Sequence, residues 1–147
     1  MRRHFKLRNF AALGLGFAVS MVFAKEPPSV TVKLSDANNG KMSISLSPST
    51  VGAGPIEFTI KNDSSVMRHE FMIVPWTGPA NALPYDSKTQ QVEEDRLHAM
   101  QGVEDLSPGQ TVTVRLTLSQ GRYVAFCNEP GHYRDAMSSL FTVNRTR

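Results

Sequence analysis

Cysteine and histidine are both scarce in this sequence. Cys127 is the only cysteine among 147 residues, and there are only four histidines. A single cysteine cannot form an intramolecular disulfide, so Cys127 is a free thiol, an intermolecular bridge or a ligand. Enzymes that hold several metal centres need several histidines to bind them, so the small number of histidines excludes that class.

Long hydrophobic runs are also rare, and the one present lies near the N-terminus. Positive charges within residues 1–9 precede an uncharged apolar run at residues 10–24, which ends in Val22, Phe23 and Ala24. A membrane-spanning helix needs roughly 20 apolar residues, and this run is shorter, so a retained membrane anchor is the weaker alternative. We predict a signal peptide at residues 1–24, cleaved after Ala24, and a periplasmic mature protein with no membrane span.

No strong excess of charge of either sign remains in the predicted mature chain. The full sequence has 16 basic and 13 acidic residues, and four of the basic residues lie within the predicted signal peptide. Residues 25–147 therefore carry 12 basic and 13 acidic residues, a net charge of −1. This balance gives no support to a nucleic-acid partner, so none is predicted. The remaining 123 residues suit one domain with a hydrophobic core.

Alternation of apolar and polar residues, the pattern of half-buried strands, dominates the mature chain. Turn-forming residues separate the alternating segments, for example at residues 36–40 and 107–110. Seven strands are predicted, at residues 30–34, 42–46, 56–60, 69–74, 111–118, 123–127 and 139–143. Short strands with turns between them are typical of a Greek-key antiparallel β-sandwich, so the fold class is predicted to be all-β.

One segment, at about residues 76–107, interrupts this rhythm. Two prolines and a glycine prevent a regular element in its first part. Residues 87–100 are predicted to form a helix, because Ser87 is a suitable cap and Val92, Leu97 and Met100 share a rough face. The segment is therefore interpreted as a partly helical insertion within a single domain at residues 25–147.

The loop after the sixth predicted strand carries the most distinctive chemistry. Cys127, His132 and Met137 follow one another at intervals of five residues. A thiolate, an imidazole and a thioether form a soft ligand set, which selects copper over magnesium or calcium. Pro130 stiffens the intervening turn and Gly131 permits a tight reversal, so Cys127 and His132 can converge on one ion. His132 alone would indicate a surface residue and Met137 alone a core residue; their spacing from Cys127 favours ligands.

A trigonal His₂Cys copper site with a weak axial methionine needs a second imidazole. His69 begins a predicted strand and has the parity of Phe71 and Ile73, so the three side chains face the same side, taken to be the interior. A satisfied core histidine is the alternative for His69. His98, the only other histidine of the mature chain, lies in the insertion and is predicted to be solvated. The sequence thus predicts a mononuclear type 1 copper site.

This ordered pattern resembles the cupredoxins over most of residues 30–143. The Cys-x4-His-x4-Met spacing is similar to that of the rusticyanin and sulfocyanin branches. The resemblance implies a Greek-key sandwich and one-electron transfer by a single copper ion cycling between Cu(I) and Cu(II). The implied metal ligands are His69, Cys127, His132 and Met137. Two residues depart from the family pattern: Glu70 stands where an asparagine often ties the ligand loops, and Ala136 where glycine is common.

The function expected from this site is the transport of single electrons by an exported protein, not enzymatic catalysis. His132 is expected to expose its ring edge as the electron port, and Pro130, Gly131 and Tyr133 to form an apolar docking patch around it. The expected partner is a transient redox protein, such as a cytochrome or an oxidase, bound by a monomer. A periplasmic copper-binding protein for copper tolerance or copper handling is the alternative, because it would use the same ligands.

Overall fold

The computed structural model of the protein describes residues 26–36 and 41–146. Strands dominate these residues, and the one helical element among them is the 3-10 turn Glu94–Arg96. The strands are β1 (Ser29–Asp36), β2 (Met42–Ser47), β3 (Thr50–Gly52), β4 (Gly54–Asn62), β5 (His69–Pro75), β6 (Tyr85–Asp86), β7 (Gln91–Val92), β8 (Gln101–Leu106), β9 (Thr111–Leu118), β10 (Gly121–Phe126) and β11 (Ser138–Asn144).

Two sheets and a small ribbon contain all of these strands. One sheet has the order β2-β1-β4-β9 and the other the order β3-β11-β10-β5-β8, while β6 pairs with β7 alone. Most neighbouring strands are antiparallel, but β1 runs parallel to β4 and β3 runs parallel to β11. The predicted all-β sandwich is confirmed, with mixed rather than purely antiparallel sheets.

The main hydrophobic core lies between the two sheets. Phe58 on β4 contacts residues of the opposite sheet, with ring centroids 5.4 Å from Phe71 and 5.7 Å from Phe141. Strands β1 and β4 supply alternate buried residues, as their sequence alternation predicts. Cys127 and Met137 belong to this same core cluster. The predicted ligand loop therefore starts and ends inside the sandwich.

A second hydrophobic cluster covers the outer face of the five-stranded sheet. Met72, Val74, Val124 and Phe126 point outward from β5 and β10. The segment between β5 and β8 packs over them with Leu83 and Val92, and Trp76, Ala80, Tyr85, Leu97 and Met100 lie around the edge. Both faces of β5 and β10 are thus buried, which explains their unbroken runs of apolar residues.

The helix predicted at residues 87–100 is wrong. This stretch contains strand β7, one 3-10 turn and irregular backbone. Gln90 and Ala99 have φ angles of 60° and 54°, values that a right-handed helix cannot contain. Val92, Leu97 and Met100 do share an apolar environment, but they reach it from an irregular chain. The end of the insertion, β8, pairs with β5 and belongs to the sandwich.

All seven predicted strands occur, with ends that differ by one or a few residues. Strands β3, β6, β7 and β8 were not predicted, and each is too short or too polar to show a clear alternation. The predicted signal peptide at residues 1–24 lies outside the described residues, as does most of the turn predicted at residues 36–40. Among the described residues, no helix is long and apolar enough to cross a membrane.

Candidate metal centre

Antiparallel pairing of β5 and β10 brings the first two candidate ligands to one end of the sheet. Strand β5 begins at His69, and Cys127 directly follows the last residue of β10. The register pairs Phe126 with Met72, so the chain reaches Cys127 beside the start of β5. There the backbone N–H of Glu70 donates a hydrogen bond to the Cys127 Sγ at 3.2 Å. The register shift between His69 and Phe71 marks a bulge at this point.

The ligand loop is a series of tight turns that returns to its starting point. The His132 N–H donates to the Glu129 carbonyl oxygen at 3.0 Å, and Gly131 takes the positive φ angle of 86°. The Met137 N–H bonds the His132 carbonyl oxygen at 3.1 Å. The Cys127 N–H in turn bonds the Met137 carbonyl oxygen at 3.1 Å. The backbones of all three loop candidates are therefore tied together, and the predicted turn before His132 is confirmed.

Three of the four predicted ligands present their donor atoms to one point. The Nδ1 atoms of His69 and His132 are 3.1 Å apart. The Cys127 Sγ lies 3.5 Å from the Nδ1 of His132 and 3.9 Å from the Nδ1 of His69. Met137, the fourth candidate, is fully buried in the same core as Cys127. His98 is exposed, as predicted, and is not part of the cluster.

These distances fit a small metal ion. An ion in a trigonal plane, with bonds of about 2.0 Å to nitrogen and about 2.3 Å to sulfur, as zinc has, would hold the nitrogens about 3.5 Å apart and each about 3.7 Å from the sulfur. The observed separations of 3.1, 3.5 and 3.9 Å lie within a few tenths of an ångström of that triangle. The donor set of one thiol and two imidazoles suits copper.

Burial controls the protonation of the donors. Desolvation and, to a smaller extent, the neighbouring His132 lower the pKa of His69 to about 4, while Asp36 opposes the shift. Desolvation likewise lowers the pKa of His132. Desolvation raises the pKa of the Cys127 thiol to about 12, although the backbone N–H groups of Glu129 and Glu70 favour its thiolate. In the metal-free protein at neutral pH both imidazoles are therefore ready to coordinate, and the thiol must lose a proton when a metal binds.

One buried nitrogen of this cluster lacks a hydrogen-bond partner. His69 is fully buried, and its Nε2 has no partner among the described residues. Coordination of a metal through Nδ1 would place the ring proton on Nε2. A buried donor left unpaired costs roughly 1–3 kcal/mol. The bond between the ion and Nδ1 would therefore have to offset the cost of the unpaired Nε2–H.

The two departures from the family pattern have local explanations. Glu70 contacts the Cys127 sulfur through its backbone N–H, a bond that does not depend on the side chain. Its carboxyl group lines an acidic groove, and burial together with nearby carboxylates, Glu129 first among them, raises the pKa of Glu70 to about 7. Ala136 has a φ angle of 71°, in the left-handed region that glycine adopts without strain. The loop therefore keeps the backbone of a glycine-containing family member with a residue less suited to it.

Tyr133 does not form part of an exposed docking patch, so this expectation is wrong. Its side chain is 2% exposed, and its hydroxyl accepts a hydrogen bond from the Leu83 N–H and donates one to the Ala80 carbonyl oxygen, both at 2.8 Å. The insertion covers this ring, which a reading of the loop alone could not foresee. Pro130 is exposed and His132 is partly exposed, as the port prediction requires.

Sequence reasoning missed two buried asparagines next to the cluster. Asn62 is fully buried and donates to the carbonyl oxygens of Met67 and Leu106, both at 2.9 Å, which holds the loop before His69. Asn128, only 4% exposed, bonds the backbone of Val92. Asn62 lies in a segment rich in turn residues, a composition that gives no signal of a buried side chain. The position of Asn128 immediately after Cys127 was the only available signal.

A β-sandwich with a buried thiol between two imidazole Nδ1 atoms, and a buried methionine on the same loop, defines the cupredoxin class. The family described as "Copper binding proteins, plastocyanin/azurin family" matches residues 28–144, and the chain belongs to this family. Its cofactor is copper, and the family implies a type 1 copper protein for electron transfer. The predicted resemblance is confirmed.

Solved structures share this fold. An auracyanin from the photosynthetic bacterium Roseiflexus castenholzii is 26% identical, with a TM-score of 0.53 over 82% of this chain and 98% of that chain. A rusticyanin variant gives a TM-score of 0.62 at 16% identity, covering 83% of this chain and 80% of the other. Rusticyanin from Thiobacillus ferrooxidans gives a TM-score of 0.59 at the same identity and coverage. Curated protein sequences gave no match.

Proposed function

We propose that this chain carries single electrons on one copper ion bound by four side chains. The ligands are the Nδ1 atoms of His69 and His132, the Sγ of Cys127 and, as a weaker axial ligand, the thioether of Met137. The observation that carries the proposal is the convergence of the first three donor atoms, which all lie within 4.8 Å of one another. Family membership supplies the cofactor and the class of function, and this cluster supports the individual ligands.

The protein would hold the copper ligands rigidly, bury them, and provide a path for the electron to the surface. Copper supplies a one-electron couple when it is bound. His69 and Cys127 are fully buried at the ends of paired strands, so the donors are held in place by the sandwich before any metal arrives. Preformed donors need little rearrangement when the charge of the site changes. His132 is the one ligand with partial exposure, and its ring edge would serve as the electron port.

The partner and the location are part of the same proposal. Residues 1–24 would direct export, and the mature protein would act as a periplasmic monomer without a membrane span. A transient redox partner, such as a cytochrome or an oxidase, would dock over Pro130 and the edge of His132. A small contact of this kind suits rapid association and release. We infer no enzymatic reaction for this site.

The proposal is tested by spectroscopy and voltammetry on the copper-loaded protein. Cys127→Ser should abolish the intense visible absorption that a copper–thiolate bond gives, together with the reversible one-electron couple. His98→Gln is the matched control, because His98 is exposed and outside the cluster. This variant should keep both signals. Colour that survives in Cys127→Ser, or disappears in His98→Gln, would show that the copper is bound elsewhere.

A further inference from the structure

The insertion is hydrogen-bonded directly to the ligand loop. Two of these bonds join the Asn128 side chain to the Val92 backbone. The Val92 N–H donates to the Asn128 Oδ1 at 2.7 Å, and the Asn128 Nδ2 donates to the Val92 carbonyl oxygen at 3.2 Å. The Gly131 N–H donates to the Gln90 carbonyl oxygen at 2.8 Å. The Gln91 Nε2 donates to the Asn128 carbonyl oxygen at 2.9 Å. Residues 90–94 thus lie along the loop between two proposed ligands.

Asn128 is the centre of this contact. Its Nδ2 also donates to the Glu94 Oε1 at 2.7 Å, so both donors and the carbonyl oxygen of its amide have partners. The amide bonds both the N–H and the carbonyl of Val92, as a neighbouring strand would. A buried amide that is fully satisfied has one low-energy orientation, and rotating it would leave several buried groups unpaired.

Asn128 directly follows the residue that carries the reactive sulfur. The backbone N–H of the next residue, Glu129, favours the thiolate and so opposes the rise that burial causes in the pKa of Cys127. The second backbone N–H that favours the thiolate comes from Glu70, at 3.2 Å. Hydrogen bonding around the cysteine sulfur tunes the redox potential of such a copper site. The conformation of residues 127–129 therefore matters to the copper as well as to the fold.

We propose that Asn128 is a positioning residue for the copper site: by fixing its amide on the Val92 backbone, it sets the direction of the Cys127 side chain and of the Glu129 N–H. The insertion, through residues 90–94, is then an outer support of the ligand loop. It provides a rigid contact for the cysteine loop at a site where Glu70 replaces the asparagine that often ties the ligand loops. This inference rests on the copper site proposed above.

The test compares four proteins that differ in this contact or in stability alone. Asn128→Asp keeps the shape of the side chain but replaces the NH₂ donor by an oxygen that faces the Val92 carbonyl and Glu94. Glu94→Gln, combined with it, supplies an NH₂ group opposite the new carboxylate. Glu94→Gln alone serves as the reference for the double variant. Ile56→Val is the stability control: Ile56 is a fully buried core residue of β4, so this variant loses stability without changing the Asn128 contact.

Copper affinity, reduction potential and the visible spectrum are measured for each protein. Asn128→Asp should bind copper about 10- to 100-fold more weakly, the usual effect of removing a group that orients a metal ligand. Its potential should fall, because a thiolate with weaker N–H donors stabilises Cu(II) more strongly, and its charge-transfer band should shift. The double variant should recover part of each change. Ile56→Val should lose stability while its affinity, potential and spectrum stay those of the wild type.

Two results would overturn the inference. One is an Asn128→Asp protein with wild-type affinity, potential and spectrum; the other is an Ile56→Val protein that shifts as much as Asn128→Asp. If Asn128→Asp does not fold, Gln91→Ala replaces it, since this half-buried side chain bonds the Asn128 carbonyl oxygen from outside. In Gln91→Ala, smaller changes of copper affinity, reduction potential and spectrum in the directions expected for Asn128→Asp support the inference. Wild-type values of all three refute it. A wild-type protein without intense colour would instead refute the proposed copper site.

Discussion

At the residue scale, His69 and Glu70 are sequence neighbours whose titrations oppose each other in the metal-free protein. Burial lowers the pKa of His69 to about 4, so its contribution to stability is complete above about pH 6.5 and is lost as the pH falls towards 4. Burial and nearby carboxylates raise the pKa of Glu70 to about 7, so its contribution is complete below about pH 4.5 and is lost as the pH rises towards 7. Between these limits the two effects partly cancel.

Replacing Glu70 by glutamine should change how the unfolding free energy depends on pH. Glu70→Gln keeps the backbone N–H on the Cys127 sulfur but removes the carboxylate that is unfavourable at high pH. In the metal-free protein the variant should match the wild type near pH 4. At pH 8 it should exceed the wild type by roughly 1–2 kcal/mol of unfolding free energy, after allowance for solvent screening of a half-buried group. Urea unfolding at several pH values measures the difference.

The matched control for this comparison is Glu57→Gln on β4, at a partly exposed position beside Arg115. Its effect on unfolding free energy should be small at every pH, because exposed ion pairs contribute little. A difference between Glu70→Gln and the wild type that stays constant from pH 4 to pH 8 would contradict the assigned pKa shift.

The residues of the candidate site were predictable at this scale, but the residues that support them were not. The spacing of Cys127, His132 and Met137 is local, so the sequence displays it directly. His69 followed from strand parity and from the lack of another suitable histidine. Asn62 and Asn128 contact backbone groups 30 or more positions away along the chain, at Leu106 and Val92. Such partners are set by the fold, and no local pattern indicates them.

At the element scale, the insertion acts as a cover for one face of the sheet and as a support for the ligand loop. Its apolar residues meet the outward side of β5 and β10, and its backbone bonds the Tyr133 hydroxyl at Ala80 and Leu83. These contacts give the insertion a fixed position on the sandwich. Continuous apolar runs in β5 and β10 were the signal that both faces are covered.

Removing the Tyr133 hydroxyl should loosen this attachment. Tyr133→Phe leaves the buried Leu83 N–H and the Ala80 carbonyl oxygen without their partner, which costs roughly 1–3 kcal/mol of unfolding free energy. Amide exchange at Leu83 should accelerate in the same variant. Tyr85→Phe is the control, because it keeps the aromatic ring that lies 4.6 Å from the Arg134 guanidinium. Equal stability losses in the two variants would contradict the role assigned to the Tyr133 hydroxyl.

Strands were predicted better than the insertion because alternation reports local burial on one face. Strands β1, β4 and β9 have one face on the core and show the pattern clearly. Residues 87–100 contain apolar residues at spacings that suit a helix, but residues with positive φ angles interrupt the chain there. Their burial comes from the neighbouring sheet, so tertiary contacts override the local pattern.

At the scale of the whole molecule, removal of the predicted signal peptide would change the net charge of the protein. The full sequence carries a net charge of +3, whereas residues 25–147 carry −1. A nearly neutral carrier would rely on shape and local contacts at His132 for docking.

Processing of the chain is directly measurable. When the full-length protein is expressed in a bacterium with a periplasm, the periplasmic extract should contain a shorter species. Its N-terminal sequence should begin at Lys25, and its mass should be that of residues 25–147. Val22 and Ala24 provide the small residues that a signal peptidase requires. Replacing Ala24 by arginine should cause the unprocessed chain to accumulate. Full-length protein in the periplasm, or no export at all, would contradict the predicted signal peptide.

The most direct measurement of the central claim is the anomalous scattering of a crystal of the copper-loaded mature protein at the copper absorption edge. We expect one strong peak, between the Nδ1 atoms of His69 and His132 and the Sγ of Cys127, with the Met137 sulfur as the fourth and most distant neighbour. A peak at any other position, or a peak that the Cys127 sulfur does not contact, would contradict the proposed site.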